Sequence, residues 1–196
     1  MDELYTSETD VSAFSAPQEQ CCFFTGHRTI ASDVLPLLSR ALKVNILYLY
    51  HTHGVRKFIS GGALGFDTLA AFTVYDLRRE APDIRLLLEL PFSEQDAYWS
   101  EKQQKQYKFM MSIADEIHYT TQKLTENDRR TASKYLLARN RRMIECGEYC
   151  IAYFNGTRGG TAYTVSHALA AGRTVINLYD EIGMGHAADS SDIRLQ

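Results

Sequence analysis

The chain has 196 residues, 45% of them hydrophobic and 23% charged, with a formal net charge of −3. That balance suits one folded domain with a core of its own. It excludes the broad basic footprint that duplex nucleic acid requires and argues against extended nucleic-acid binding. No apolar stretch reaches the length of a bilayer span, and residues 1–19 lack the basic start and apolar centre of a secretion signal. A mobile N-terminal extension over 1–19, a cytoplasmic location and no membrane partner are therefore expected.

In chain order, strand and helix patterns alternate. Residues 21–25 are a short apolar run stopping at Gly26, and helical spacing follows from Asp33 to about Tyr50. A second run over 57–60 stops at Gly61, and a helical pattern from Phe66 to about Glu80 is closed by Pro82. RLLLEL (85–90) reads as a third strand, followed by a helix carrying Tyr98, Trp99, Tyr107 and Met110. A short strand near 117–119, a helix over 131–145, a strand over 149–154, a helix over 162–171 capped by Gly172 and a strand over 174–178 complete the series. His51 and His53, with no third ligand nearby, read as a solvated turn before Gly54, and no metal is expected. Cys21, Cys22, Cys146 and Cys150 show no C-x-x-C spacing and read as reduced core thiols.

Short, continuously apolar, β-branched or aromatic runs suit strands buried on both faces, hence parallel strands covered by helices. The expected fold is α/β: a Rossmann-like three-layer sandwich with a mostly parallel sheet, forming a single domain over 20–180. Residues 181–196 show no periodicity and read as a flexible tail.

Three loops share one layout of strand, small residues and helix: TGHR (Thr25, Gly26, His27, Arg28), SGGALGFD (60–67) and NGTRGGT (155–161). In a parallel sheet all loops leaving strand ends lie on one edge, where ligands of open α/β sheets bind. Each loop offers backbone N–H groups at a helix start, where the helix dipole favours an anion. Phosphate is the natural guest. Neither the P-loop spacing nor G-x-G-x-x-G occurs.

The ordered series FTGHR, SGGALGFDTLA, PFSEQDAYW, ARNRRM and FNGTRGGTAYTVSHA resembles the SLOG superfamily, which groups the Smf/DprA and Lonely guy proteins, and within it the YpsA-like branch. The resemblance implies a Rossmann-like fold binding a nucleotide or nucleotide-derived ligand, and it is compatible with a homo-oligomer. By that resemblance Gly61, Gly62 and Gly65 match the first glycine loop. Gly159, Gly160 and Thr161 match the second, whose backbone would hold phosphate. Arg139 and Met143 match the R-K-x-x-M helix of the Lonely guy enzymes, whose arginine serves N-glycosidic cleavage. Those enzymes read G-T-x-x-E, whereas here Thr164 stands at the glutamate position.

That substitution matters because N-glycosidic cleavage needs a carboxylate near the ribose. Asp67 is the replacement candidate, reaching a ribose hydroxyl or else serving the helix dipole alone. Arg28 is placed to clamp phosphate. His27 either meets ligand or fixes its loop. Gln95 and Trp99, four apart, would share a helix face, with Trp99 stacking on a base or packing in the core. Asn140 lines the crevice with Arg139, and Asn155 and Gly156 open the last loop. Seven Lys or Arg residues against two acidic ones lie between Thr121 and Arg142, forming a solvated face or a basic rim. Ser166 and His167 point about 100° apart on a helix and do not act together.

The expectation is a sensor or regulator binding a ligand of the ADP-ribose, NAD or nucleoside phosphate class, with no established cofactor. Two alternatives stay open. One is a nucleoside-5′-monophosphate N-glycosidase or other nucleotide hydrolase using Arg139 and Asp67; the other is a single-strand-binding module.

Overall fold

The computed structural model describes residues 20–122, 124 and 129–183. The expected extension over 1–19 and most of the expected tail lie outside these residues. Within them run β1 (Cys21–Gly26), α1 (Leu35–His53), β2 (Lys57–Ser60), α2 (Phe66–Leu77) and β3 (Arg85–Leu90). These are followed by α3 (Glu101–Ile113), β4 (Glu116–Tyr119), α4 (Arg129–Cys146), β5 (Tyr149–Tyr153), α5 (Gly160–Ala170) and β6 (Thr174–Asn177).

Six strands form one sheet in the order β4-β3-β2-β1-β5-β6. Every pairing is parallel, with Phe23 opposite Ile59 on one side and Cys150 on the other. The sequence explains the burial. Along β1 the side chains alternate, Cys22 and Phe24 entering one core and Cys21 and Phe23 the other. The first core holds α1, α2 and α3 against the sheet, and the second holds α4 and α5 on the opposite face. This is the three-layer α/β arrangement. A helical turn over 178–183 buries Leu178 and Ile182 on the α1 side.

Two local expectations are corrected, and a third, that Ser166 and His167 do not act together, holds for a different reason. The first helix continues to His53 and ends on Gly54, whose left-handed φ of 67° caps it. His51 and His53 are thus helical, and His53 Nδ1 lies 3.0 Å from the Tyr149 hydroxyl. The helix expected to carry Tyr98 and Trp99 starts only at Glu101, because Ser100 forms a reciprocal capping box with Gln103. Gln95 and Trp99 therefore sit in turns rather than on one helix face. Ser166 and His167 approach to 3.4 Å because both reach the Tyr163 carbonyl. With Nδ1 donating to that carbonyl, the imidazole is not a base for Ser166.

The strand order places the site. The chain moves from β1 outward through β4, then returns to the other side of β1 as β5. The point where the order reverses therefore lies between the carboxyl ends of β1 and β5.

Candidate functional site: a crevice at the β1/β5 switch point

A cavity of about 470 Å³ opens at this switch point, within the size range of small-molecule sites. Its β1 side is Thr25 to Arg28, its β5 side Thr157 to Thr161, and α4 forms the third wall. The two loops are bonded together. His27 N–H donates to Tyr153 O at 3.3 Å, Asn155 N–H donates to His27 Nε2 at 3.1 Å, and Thr161 Oγ1 donates to Gly26 O at 3.0 Å. His27 thus spends a ring nitrogen on fixing its neighbour loop.

A buried ion pair forms the floor. Arg139 Nη1 donates to Gly61 O and lies 3.9 Å from Asp67 Oδ2, both side chains being less than a tenth exposed. Burial raises the Asp67 carboxyl above the ordinary aspartate range. Arg139, the Ala63 N–H, Arg28 and the Gly61 N–H pull the other way. Burial likewise lowers Arg139, against the support of Asp67 and with the opposition of Arg28. For both groups desolvation outweighs the attraction between them. Arg139 lines the cavity, and its Nε has no hydrogen-bond partner among the described residues.

The two glycine loops differ in what their glycines are for. Gly65 (φ 78°) sits against the carbonyls of His27 and Arg28, where a Cβ would collide with backbone. Its loop is packed into the protein: Phe66 N–H donates to His27 O at 3.1 Å and Ala63 N–H to Asp67 Oδ2 at 3.3 Å. Gly159 has φ 150° and ψ −166°, a region open essentially to glycine, yet among the described residues nothing lies within 4 Å of a Cβ built there or at Gly160. No side chain caps α5. The amino terminus of this helix is uncovered and borders the cavity, with its partial positive charge and N–H groups available.

Ten sequence candidates line the crevice together: Thr25, Gly26, His27, Arg28, Asp67, Arg139, Asn140, Gly159, Gly160 and Thr161. Seven lie outside its lining. Gly61 and Gly62 are buried beside it, touching Arg139 and Gln95, and Gly65 holds α2 to the β1 loop. Gln95 donates from Nε2 to Gly62 O at 2.9 Å. Trp99 packs edge-on to Tyr107, with ring centroids 5.3 Å apart, against the first core. Asn155 Oδ1 accepts from Thr157 N–H and Oγ1 at 3.1 and 2.7 Å, shaping the last loop, and Gly156 turns the chain there with φ 86°. Thr164 is buried, and its hydroxyl donates to Gly160 O at 2.9 Å.

Sequence reasoning missed Arg158, Leu136 and Leu137, which also line the crevice. Arg158 was visible as the one charged residue inside NGTRGGT. It also missed Glu89, a carboxylate in the otherwise apolar strand interior RLLLEL. Glu89 is 3% exposed. Its Oε1 lies 2.9 Å from His118 Nδ1 and 3.4 Å from Arg142 Nη2, while Oε2 has no partner among the described residues. Its charge also supports Arg139.

An all-parallel sheet covered by helices on both faces, with a crevice at its switch point, defines a Rossmann-like protein. The YspA SLOG family model matches residues 24–176, so the chain belongs to that family. It is 34% identical over 117 residues to the SPbeta prophage-derived protein YoqJ of Bacillus subtilis, covering 57% of this chain and 68% of YoqJ. It is 29% identical over 120 residues to a UPF0398 protein of Bacillus cereus, covering 61% of this chain and 62% of that relative, somewhat under two thirds of its length. Among solved structures, DNA processing protein A of Streptococcus pneumoniae shares the fold at a TM-score of 0.56 and 16% identity, over 80% of this chain and 49% of that one. Its Helicobacter pylori counterpart, described as binding single-stranded DNA, matches at 0.55 and 17%, over 81% and 64%. Among the described residues no helix is long and apolar enough to cross a membrane, and no group of three or more His, Cys, Asp or Glu could hold a metal.

Proposed function

We propose that the crevice binds the phosphate of a nucleotide or nucleotide-derived ligand at the amino terminus of α5, and that the protein acts through this binding as a sensor or regulator. The observation that carries the reading is the uncovered Gly159–Gly160 turn, facing a cavity that Arg28, Arg158 and Arg139 also border. Glycine at 159 gives a backbone that other residues rarely adopt, and no neighbour among the described residues uses the space it leaves. An anion there gains N–H donors, the helix dipole and guanidinium groups at once. Arg28 and Arg158 are exposed and make no hydrogen bond to the described protein, so both are available to a ligand.

The test is to incubate the protein with AMP, ADP-ribose and NAD, recording both the melting temperature and the small molecules recovered. A ligand at 100 times its Kd adds about 2.7 kcal/mol of stability. Stabilisation with intact ligand is expected, and Arg28→Ala and Arg158→Ala should each weaken binding by roughly ten- to a hundredfold, as loss of a charge-assisted contact of ~1.5–3 kcal/mol implies. No shift with any of the three removes the reading.

A second reading rests on Asp67 and Arg139, a desolvated pair with shifted pKa values on the cavity floor, which is the setting of catalytic groups. It predicts release of free base or sugar phosphate in the same incubation, lost in Arg139→Met. The kinship of fold with a single-strand-binding protein cuts against the expectation from net charge. An oligonucleotide arm therefore belongs in the experiment: binding that weakens steeply with added salt would assign the crevice to a strand.

A further inference from the structure

The crevice has two unlike walls. One is the polar edge formed by Arg28, Arg158 and the α5 turn. The other is a single face of α4, on which Leu136, Leu137, Asn140 and Met143 follow helical spacing. Met143 is core, 2% exposed and packed in the second cluster. Leu136 and Leu137 are different. Both are half-buried, both line the cavity, and among the described residues neither belongs to nor packs against either hydrophobic core. One turn further along, the half-buried Asn140 presents an amide with no hydrogen-bond partner among the described residues. Among the described residues, these two leucines outside both cores, the Asn140 amide and Ser133 make a largely apolar surface with polar groups able to read an edge. A phosphate has no use for such a wall, and a bare sugar gains little from it.

We infer that the α4 wall is a nucleobase subsite, in which Leu136 and Leu137 cover the face of the base and Asn140 reads its edge. An amide pairs with an edge that carries a neighbouring donor and acceptor, as adenine does at N6 and N7. Apolar contact supplies affinity, and the amide supplies discrimination. Arg139, adjacent to Asn140 on the helix, belongs to the floor of the same crevice, paired with Asp67. The inference rests on the phosphate reading above and adds to it the part of the ligand that α4 selects.

The experiment compares AMP, GMP, CMP, UMP and ribose 5-phosphate by calorimetry, using wild type, Asn140→Leu and Leu137→Ser, with circular dichroism reporting folding. Leu136→Ser replaces Leu137→Ser if that variant does not fold. The expected result is that wild type binds AMP at least about tenfold tighter than ribose 5-phosphate, a difference of ~1.4 kcal/mol. That ratio should fall toward one in Leu137→Ser, while Asn140→Leu should lose the preference among bases. If ribose 5-phosphate binds wild type as tightly as the nucleotides, the base subsite is wrong while the phosphate site stands. If the ratio survives in Leu137→Ser and the base preference survives in Asn140→Leu, the base lies elsewhere and the α4 assignment is overturned. Binding of none of the five would remove the phosphate reading, and the subsite with it.

Discussion

Asp67 and Arg139 carry most of the energetic risk in this site. Each is a charge taken out of water and offset by the other, with Gly61 O and the Ala63 N–H as supports. Removing one partner strands the other, at a cost of about 3–5 kcal/mol. Asp67→Ala is therefore expected to unfold at distinctly lower denaturant, and Asp67→Ala with Arg139→Met to recover part of the loss. Equal destabilisation by the single and double variants would mean that the pair does not act as a pair. The pH dependence has a definite sign. The Asp67 carboxyl has a higher pKa folded than unfolded, so the native state holds the proton more tightly in that window. Stability from this group falls as pH rises from the ordinary aspartate value through the raised one. Asp67→Asn should lose that segment of the profile in urea titrations at successive pH values. An unchanged profile would show that the carboxyl is not desolvated.

At the scale of elements, the helix starts differ in what satisfies their N–H groups. α3 begins where Ser100 and Gln103 satisfy one another's N–H groups, and Ser100→Ala should cost about 1 kcal/mol in thermal or chemical unfolding. No loss there would mean that the turn over 93–99, rather than the cap, fixes the helix start. α5 has no such cap. This difference was only partly legible in the sequence. The strands β2 and β3 could be read to the residue, because continuous apolar runs bounded by glycine or proline leave little choice. The glycine loops were legible as a group but not as individuals: a Gly-Gly pair looks the same whether it admits Arg139, as Gly61 does, or faces open space, as Gly160 does. Gln95 and Trp99 fit a helical spacing that Ser100 overrides. Glu89, Leu136 and Leu137 escaped because their significance lies in what is not beside them, and partners are a property of the fold.

Taken as a whole molecule, the sheet order does the assembling. The reversal between β1 and β5 brings residues 25–28 and 157–161 to one crevice, while the β2 loop closes beneath it as floor. α4 crosses from the far edge of the sheet to supply the third wall, so one cavity joins an anion-receptive edge to an apolar face. Although the net charge is −3, Arg28, Arg139 and Arg158 gather at this crevice, which suits a small anionic ligand steered into one place. The most direct test is an amide NMR titration with AMP. The expected result is saturable movement of the Gly159, Gly160 and Thr161 amides at the same ligand concentration, with Gly61 and Gly62 little affected. Largest shifts at the Gly61–Gly62 loop, or none at the α5 turn, would contradict the claim that this uncovered helix start holds the phosphate.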